Sequence, residues 1–156
     1  MWKRIGLIVL LVLSFSFSYS DIATAAGLKN YTDTDNGFEF LYPNGWVQVK
    51  VGDGPVVVFH DIIEPSENIS VVISPVPDNK TLTELGTPGE VGYKLGKNAL
   101  APEGSGREAE LINDAQREVD GKLYYKSEYL IKLPNNKKRH NLANVVVSRG
   151  KLFTFN

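Results

Sequence analysis

This 156-residue chain contains no cysteine. It therefore has no disulfide, no thiolate ligand for zinc and no thiol nucleophile. It also lacks the cysteine that bacterial lipoproteins acylate beside their cleavage site, which excludes a lipid anchor of that kind. The fold must be stable by packing alone.

Catalytic signatures are missing as well. The sequence has no nucleophile-elbow pattern, phosphate-binding loop, glycine-rich dinucleotide fingerprint or two-histidine zinc motif. Its two histidines are His60 and His140. His60 and Asp61 are neighbours in a predicted strand, so their side chains point to opposite faces and cannot form a catalytic pair. We interpret His60 as a rim or interface residue and predict that the protein is not an enzyme.

The first 26 residues have the order of a secretory signal peptide. Lys3 and Arg4 precede an apolar run over residues 5–17, and small residues follow at 23–26. The run is short for a ~30 Å hydrocarbon core, which disfavours the alternative of an uncleaved membrane anchor. Cleavage after Ala25 or Ala26 is expected, leaving one domain over residues 27–156.

The charge is close to balanced. Removing Lys3, Arg4 and Asp21 leaves 15 basic and 17 acidic side chains, a net charge of −2. A general nucleic-acid binder needs a dominant positive field, so no nucleic-acid partner is expected.

Strand patterns dominate the mature region, after a polar segment at 27–36 that reads as a flexible lead-in. Alternating or β-rich runs between turn residues predict strands over residues 38–41, 46–51, 56–61, 69–75, 107–119, 122–133, 142–148 and 152–155. Asp120-Gly121 is a strong hairpin signal, because both residues tolerate positive φ. Successive hairpins predict an antiparallel sheet.

One helix is well marked. Thr87 as N-cap, Pro88 at the first position and Glu90 three residues after the cap form a capping box. Val91 begins a narrow apolar stripe at i, i+4 and i+8. Gly92 and Gly96 cost helix stability, and we interpret them as points of close approach to a neighbour. Sheet and helix together predict an α+β fold.

The basic run Lys137, Lys138 and Arg139 is predicted at a hairpin tip beside His140. The run is a candidate contact for acidic loops of a membrane-protein partner. Salt would screen this electrostatic attraction. His140 is a candidate metal ligand. The adjacent cations disfavour a metal, so a solvated tip remains the alternative.

Five segments in order resemble the PsbP family along nearly the whole mature chain. They are YTDTDNGFEFLYPNGW at 31–46, ENISVVI at 67–73, LGTPGEVG at 85–92, DGKLYY at 120–125, and RHNL at 139–142 followed by SRGKLFTFN at 148–156. The short leader, without a long transit peptide, resembles those of cyanobacterial members and not those of plant members.

The resemblance implies a central antiparallel sheet flanked by helices, an α-β-α sandwich. It implies an extrinsic protein in the thylakoid lumen, bound peripherally to photosystem II core subunits. There the family supports oxygen evolution, through retention of calcium and chloride, or helps to assemble the complex. The alternative is a lumenal module of the same fold that binds a metal or another ligand, with Ca²⁺, Mn²⁺ and Zn²⁺ as candidate ions.

Two departures from the family matter. Many cyanobacterial members carry a lipobox cysteine, which this chain lacks. Family members also continue past the last strand into a further helix, so this sequence is either a fragment or lacks that helix, which would leave one sheet face bare. In some members a histidine matching His140 binds a metal with an acidic residue from that C-terminal region, a partner that this sequence lacks.

Overall fold

The computed structural model describes residues 27–156, so the predicted signal peptide lies outside the described residues. Nine strands, two short α-helices and a 3-10 turn at Pro77–Asn79 are present in this part of the chain. The strands are β1 Leu28–Asp33, β2 Phe38–Pro43, β3 Val47–Val49, β4 Val57–His60, β5 Asn68–Pro75, β6 Glu108–Val119, β7 Lys122–Lys132, β8 Lys138–Ser148 and β9 Lys151–Phe155. The helices are α1 Leu82–Leu85 and α2 Pro88–Leu95, and a π-helical turn, Gly96–Leu100, continues α2.

Seven strands form one antiparallel sheet in the order β3-β4-β5-β9-β8-β7-β6, and β1 pairs with β2 in a separate hairpin. The hairpin between β6 and β7 turns at Asp120 and Gly121, with φ of 50° and 71°, as the sequence predicts. No helix of the described region is long and apolar enough to cross a bilayer.

The helix α2 begins as predicted. The Thr87 side chain accepts a hydrogen bond from the backbone N–H of Glu90, and the Glu90 carboxylate accepts one from the backbone N–H of Thr87 at 2.8 Å. The close approach predicted for the two glycines is also present. A Cβ on Gly92 would lie 2.9 Å from Oγ of Ser127, and one on Gly96 would lie 3.1 Å from the Tyr129 ring.

The two faces of the sheet are covered differently. We call the face under α2 the helix face; over β7 and β8 it presents the buried residues Tyr125, Ser127, Tyr129, Ile131, Ala143 and Val145. On the opposite side, the β1–β2 hairpin covers only β4, β5 and β9, where its aromatic rings pack on Phe59 and Phe155. The opposite side of β6–β8 carries no helix from the described residues, and we call it the open face.

Three predictions need correction. Residues 27–36 are not a flexible lead-in, because β1 pairs along its length with β2 and Tyr31 packs 5.3 Å from Phe40 between ring centroids. The described helices lie on one face of the sheet, so the α-β-α sandwich is met only in part. His140 is not at a hairpin tip, because β8 begins at Lys138 and not at Leu142.

Candidate interaction surface

The register between β7 and β8 brings His140 and Glu128 together on the open face. His140 lies opposite Leu130, and Glu128 lies opposite Leu142, so the two residues are diagonal neighbours. Nε2 of His140 is 2.6 Å from Oε1 of Glu128. The acidic partner of His140 therefore comes from within the sheet.

This pair is a hydrogen-bonded histidine–carboxylate contact. A histidine nitrogen and a carboxylate suit Zn²⁺ or Mn²⁺ better than Ca²⁺, which prefers an all-oxygen shell. Zinc sites use three or four protein ligands. Among residues 27–156 no group of three or more histidine, aspartate or glutamate side chains is placed to hold an ion, so the pair alone does not complete a site.

The basic run predicted as one contact patch is divided by the strand. Lys137 is exposed in the β7–β8 turn, and Lys138 is exposed on the open face opposite Lys132. Arg139 lies opposite Ile131 on the helix face and is half-buried. Burial, and secondarily the charge of Arg107, lowers the pKa of Arg139. Two of the three cations therefore remain available at the surface.

A cleft of about 840 Å³ lies where the β1–β2 hairpin meets the open face, and we call it the hairpin groove. Its floor is aromatic, and it also reaches the polar ends of β6–β8. Phe38, Phe40, Tyr124, Phe153 and Phe155 line it, together with the charged residues Asp33, Glu39, Arg117 and Lys122. No motif in the sequence marks this groove, because it depends on how the hairpin packs on the sheet.

The rim of the hairpin groove carries fixed charges. The Asn36 side-chain and backbone N–H groups donate to the Asp33 carboxylate at 2.9 and 2.8 Å. These hydrogen bonds hold the pKa of Asp33 below its ordinary value, so the carboxylate is ionised at neutral pH. Arg149 donates to the carbonyl of Asn36 and ties the β1–β2 turn to the sheet. On the far rim, Arg117 lies 6.0 Å from the centroid of the Tyr124 ring.

His60 lies at the end of β4, away from the hairpin groove. Its Nδ1 is 2.6 Å from the backbone carbonyl oxygen of Asp61, and its contact is not with the Asp61 carboxylate. The prediction placed both residues in one strand, but β4 ends at His60 and Asp61 lies in the following loop. The Asp61 carboxylate instead accepts backbone hydrogen bonds within the following loop.

An antiparallel sheet with helices on one face and a hairpin on part of the other defines a protein of the α+β class. The family model described as PsbP matches residues 26–156. The chain therefore belongs to the PsbP family.

Several relatives agree with this assignment. The chain is 47% identical to CyanoP of Synechocystis sp. over 151 residues, which is 95% of this chain and 80% of the relative. It is 49% identical to CyanoP of Thermosynechococcus vestitus, covering 85% of this chain and 74% of that protein. The solution structure of cyanobacterial PsbP (CyanoP) from Synechocystis sp. superposes with a TM-score of 0.71 at 51% identity, covering 83% of this chain and 78% of that one.

Proposed function

We propose that this protein is a non-catalytic extrinsic protein of photosystem II, bound peripherally to the core subunits in the thylakoid lumen. The observation that carries the proposal is the 47% identity to CyanoP over 95% of the chain. The geometry supports a surface-binding role, because the open face and the hairpin groove are broad and carry both apolar and charged groups. Its role there is to support oxygen evolution, through calcium and chloride retention, or to assist assembly.

Co-purification tests the location. Photosystem II complexes from a cyanobacterium expressing the tagged full chain are separated on density gradients. The proposal expects the tagged chain in the photosystem II fractions after low-salt washing, and release at higher salt because exposed charges such as Lys137 and Lys138 take part. Recovery only from a soluble periplasmic pool would falsify it.

A deletion strain separates the two roles. If the protein retains ions, fully assembled complexes lose oxygen evolution when calcium or chloride is limiting, and excess ion restores it. If it assists assembly, the amount of assembled complex falls, and excess ion does not restore it.

A second candidate is favoured by the His140–Glu128 contact. We propose that this pair holds Zn²⁺ or Mn²⁺ weakly, with water completing the coordination. Calorimetry with Zn²⁺, Mn²⁺ and Ca²⁺ tests it on the full chain, with His140→Ala as the variant and His60→Ala as the matched control. Loss of zinc heat only in His140→Ala supports the candidate, and absence of heat with all three ions contradicts it.

A further inference from the structure

The loop between β4 and β5, residues 61–67, presents two adjacent aliphatic side chains to solvent, and we call it the isoleucine loop. Ile63 is 91% exposed, the largest value among the exposed large hydrophobic side chains of the described region, and its neighbour Ile62 is 63% exposed. Single exposed aliphatic residues are ordinary, but two neighbours at the tip of one loop form a projecting apolar contact.

The backbone of the isoleucine loop holds this exposure in place. The N–H groups of Ile63 and Glu64 donate to Oδ1 of Asp61 at 2.7 and 2.8 Å. Asp61 N–H donates to the carbonyl of Glu67 at 3.0 Å and closes the loop at its base. Because these bonds fix the loop, the isoleucines meet a partner without a large ordering cost.

The isoleucines are surrounded by negative charge. Asp61, Glu64 and Glu67 lie in the loop, which has no basic residue. Hydrogen bonds within the loop lower the pKa of Asp61 and of Glu64, so both carboxylates are ionised at neutral pH. Across the end of the sheet, Lys137 is near enough to lower the pKa of Glu64 further.

This charge distribution selects the occupant. A lipid surface is disfavoured, because anionic headgroups repel the carboxylates and burying them in the membrane is costly. A second copy is also disfavoured, because a two-fold contact would place one acidic loop against another. A protein pocket with apolar walls and basic side chains at its rim satisfies both the isoleucines and the carboxylates.

We propose that the isoleucine loop is the anchor through which this protein docks, with Ile63 filling an apolar, basic-rimmed pocket on its partner. This inference rests on the proposed function, which makes a photosystem II lumenal surface the partner. Ile63 is the central contact, since an exposed aliphatic side chain gains most by burial in a pocket.

Binding of the full chain to immobilised, detergent-solubilised photosystem II cores tests the inference. Ile63→Ser should raise the Kd about 10- to 100-fold, as expected for losing a buried aliphatic side chain. Ile112→Ser is the matched control, because Ile112 is 48% exposed on β6, four strands and about 19 Å from β5. Circular dichroism checks that both variants remain folded.

A second pair of measurements tests the pocket's rim. Glu64→Gln should lower the association rate and weaken its salt dependence, because a charge facing basic groups is removed. Binding of the unaltered chain and of Ile63→Ser to vesicles of neutral lipid, with and without phosphatidylglycerol, tests a membrane as the alternative partner.

The outcomes separate the two proposals. Failure of the unaltered chain to bind the cores overturns the proposed function and this inference with it. Equal binding by the unaltered chain and Ile63→Ser overturns the inference alone. Vesicle binding that Ile63→Ser abolishes also overturns it, in favour of a lipid partner.

Discussion

The hydroxyl of Tyr129 in β7 donates a 2.7 Å hydrogen bond to the carbonyl oxygen of Gly92 in α2. Tyr129 is fully buried, and its ring also contacts Gly96. The helix can come this close because both residues facing the tyrosine lack a side chain. The tyrosine therefore helps to set the distance and the position of α2 on the sheet, together with Ser127 and Leu111, which also face Gly92.

Removing that hydroxyl should destabilise the fold. Tyr129→Phe should lower the free energy of unfolding by about 0.5–1.5 kcal/mol, because a buried hydrogen bond is lost while the Gly92 carbonyl keeps its bond from the Gly96 N–H. The control is Tyr125→Phe, which loses a longer, 3.1 Å bond to the carbonyl of Gly86 and should cost less. Urea denaturation followed by circular dichroism measures both, and equal costs would contradict the argument.

The same tyrosine predicts a loss of stability in alkali. Burial raises the pKa of Tyr129 above its ordinary value. Above about pH 10 the unfolded chain ionises this group while the folded chain does not, so stability falls as pH rises. Above about pH 10, the unfolding free energy should fall less steeply with pH in Tyr129→Phe than in the unaltered protein. Equal slopes in the two proteins would contradict a role for Tyr129.

Gly92→Ala should destabilise the protein although alanine favours helices. A Cβ would lie 2.9 Å from Oγ of Ser127 and 3.2 Å from a methyl of Leu111, and such overpacking costs about 1–3 kcal/mol. Gly89→Ala in the same helix meets nothing nearer than 3.5 Å and should gain up to about 1 kcal/mol. Thermal or urea unfolding compares them, and a stabilised Gly92→Ala would refute the packing argument.

The capping box of α2 predicts that part of the folding stability is lost in acid. Hydrogen bonds from the Thr87 backbone and side chain lower the pKa of Glu90. The stabilisation is therefore present above the unfolded-state pKa, about 4.3, and is lost as pH falls through the lower folded value. Glu90→Gln should be less stable at pH 7 and should lose less on acidification, as urea midpoints at pH 7 and pH 3 would reveal.

Export gives a prediction about the mature N-terminus. The leader should be removed after Ala25 or Ala26, so the mature chain begins at Ala26 or Gly27. N-terminal sequencing of protein recovered from cyanobacterial membranes measures this directly. An intact Met1 would identify an uncleaved anchor instead.

The sequence predicted the elements whose formation depends on residues close together in the chain, such as a helix cap or a tight turn. The capping box at Thr87 predicted α2, and Asp120-Gly121 predicted the β6–β7 hairpin. The same box at Thr81, with Glu84, starts α1 and was missed because its helix spans only four residues. The strand β1 could not be predicted from its mostly polar sequence. It forms because it pairs with β2 and because Tyr31 packs on the aromatic rings of the hairpin.

The candidate surface depended on register and on packing. Glu128 and His140 are far apart in the chain, and they meet because the β7–β8 turn sets a diagonal pairing that composition does not encode. Lys138 and Arg139 separate for the same reason, since strand neighbours face opposite sides. The hairpin groove requires the β1–β2 hairpin to dock over distant strands.

The strand order determines when the sheet can be completed during folding. The ninth strand in chain order, β9, lies between β5 and β8, where Val71 pairs with Phe155 and Asn144 pairs with the same phenylalanine. During synthesis, the strands β3–β5 and β6–β8 therefore remain two separate meanders until residues 151–155 have emerged. Completion of the whole sheet therefore waits for β9 and depends on pairings between residues far apart in the chain, which slow folding.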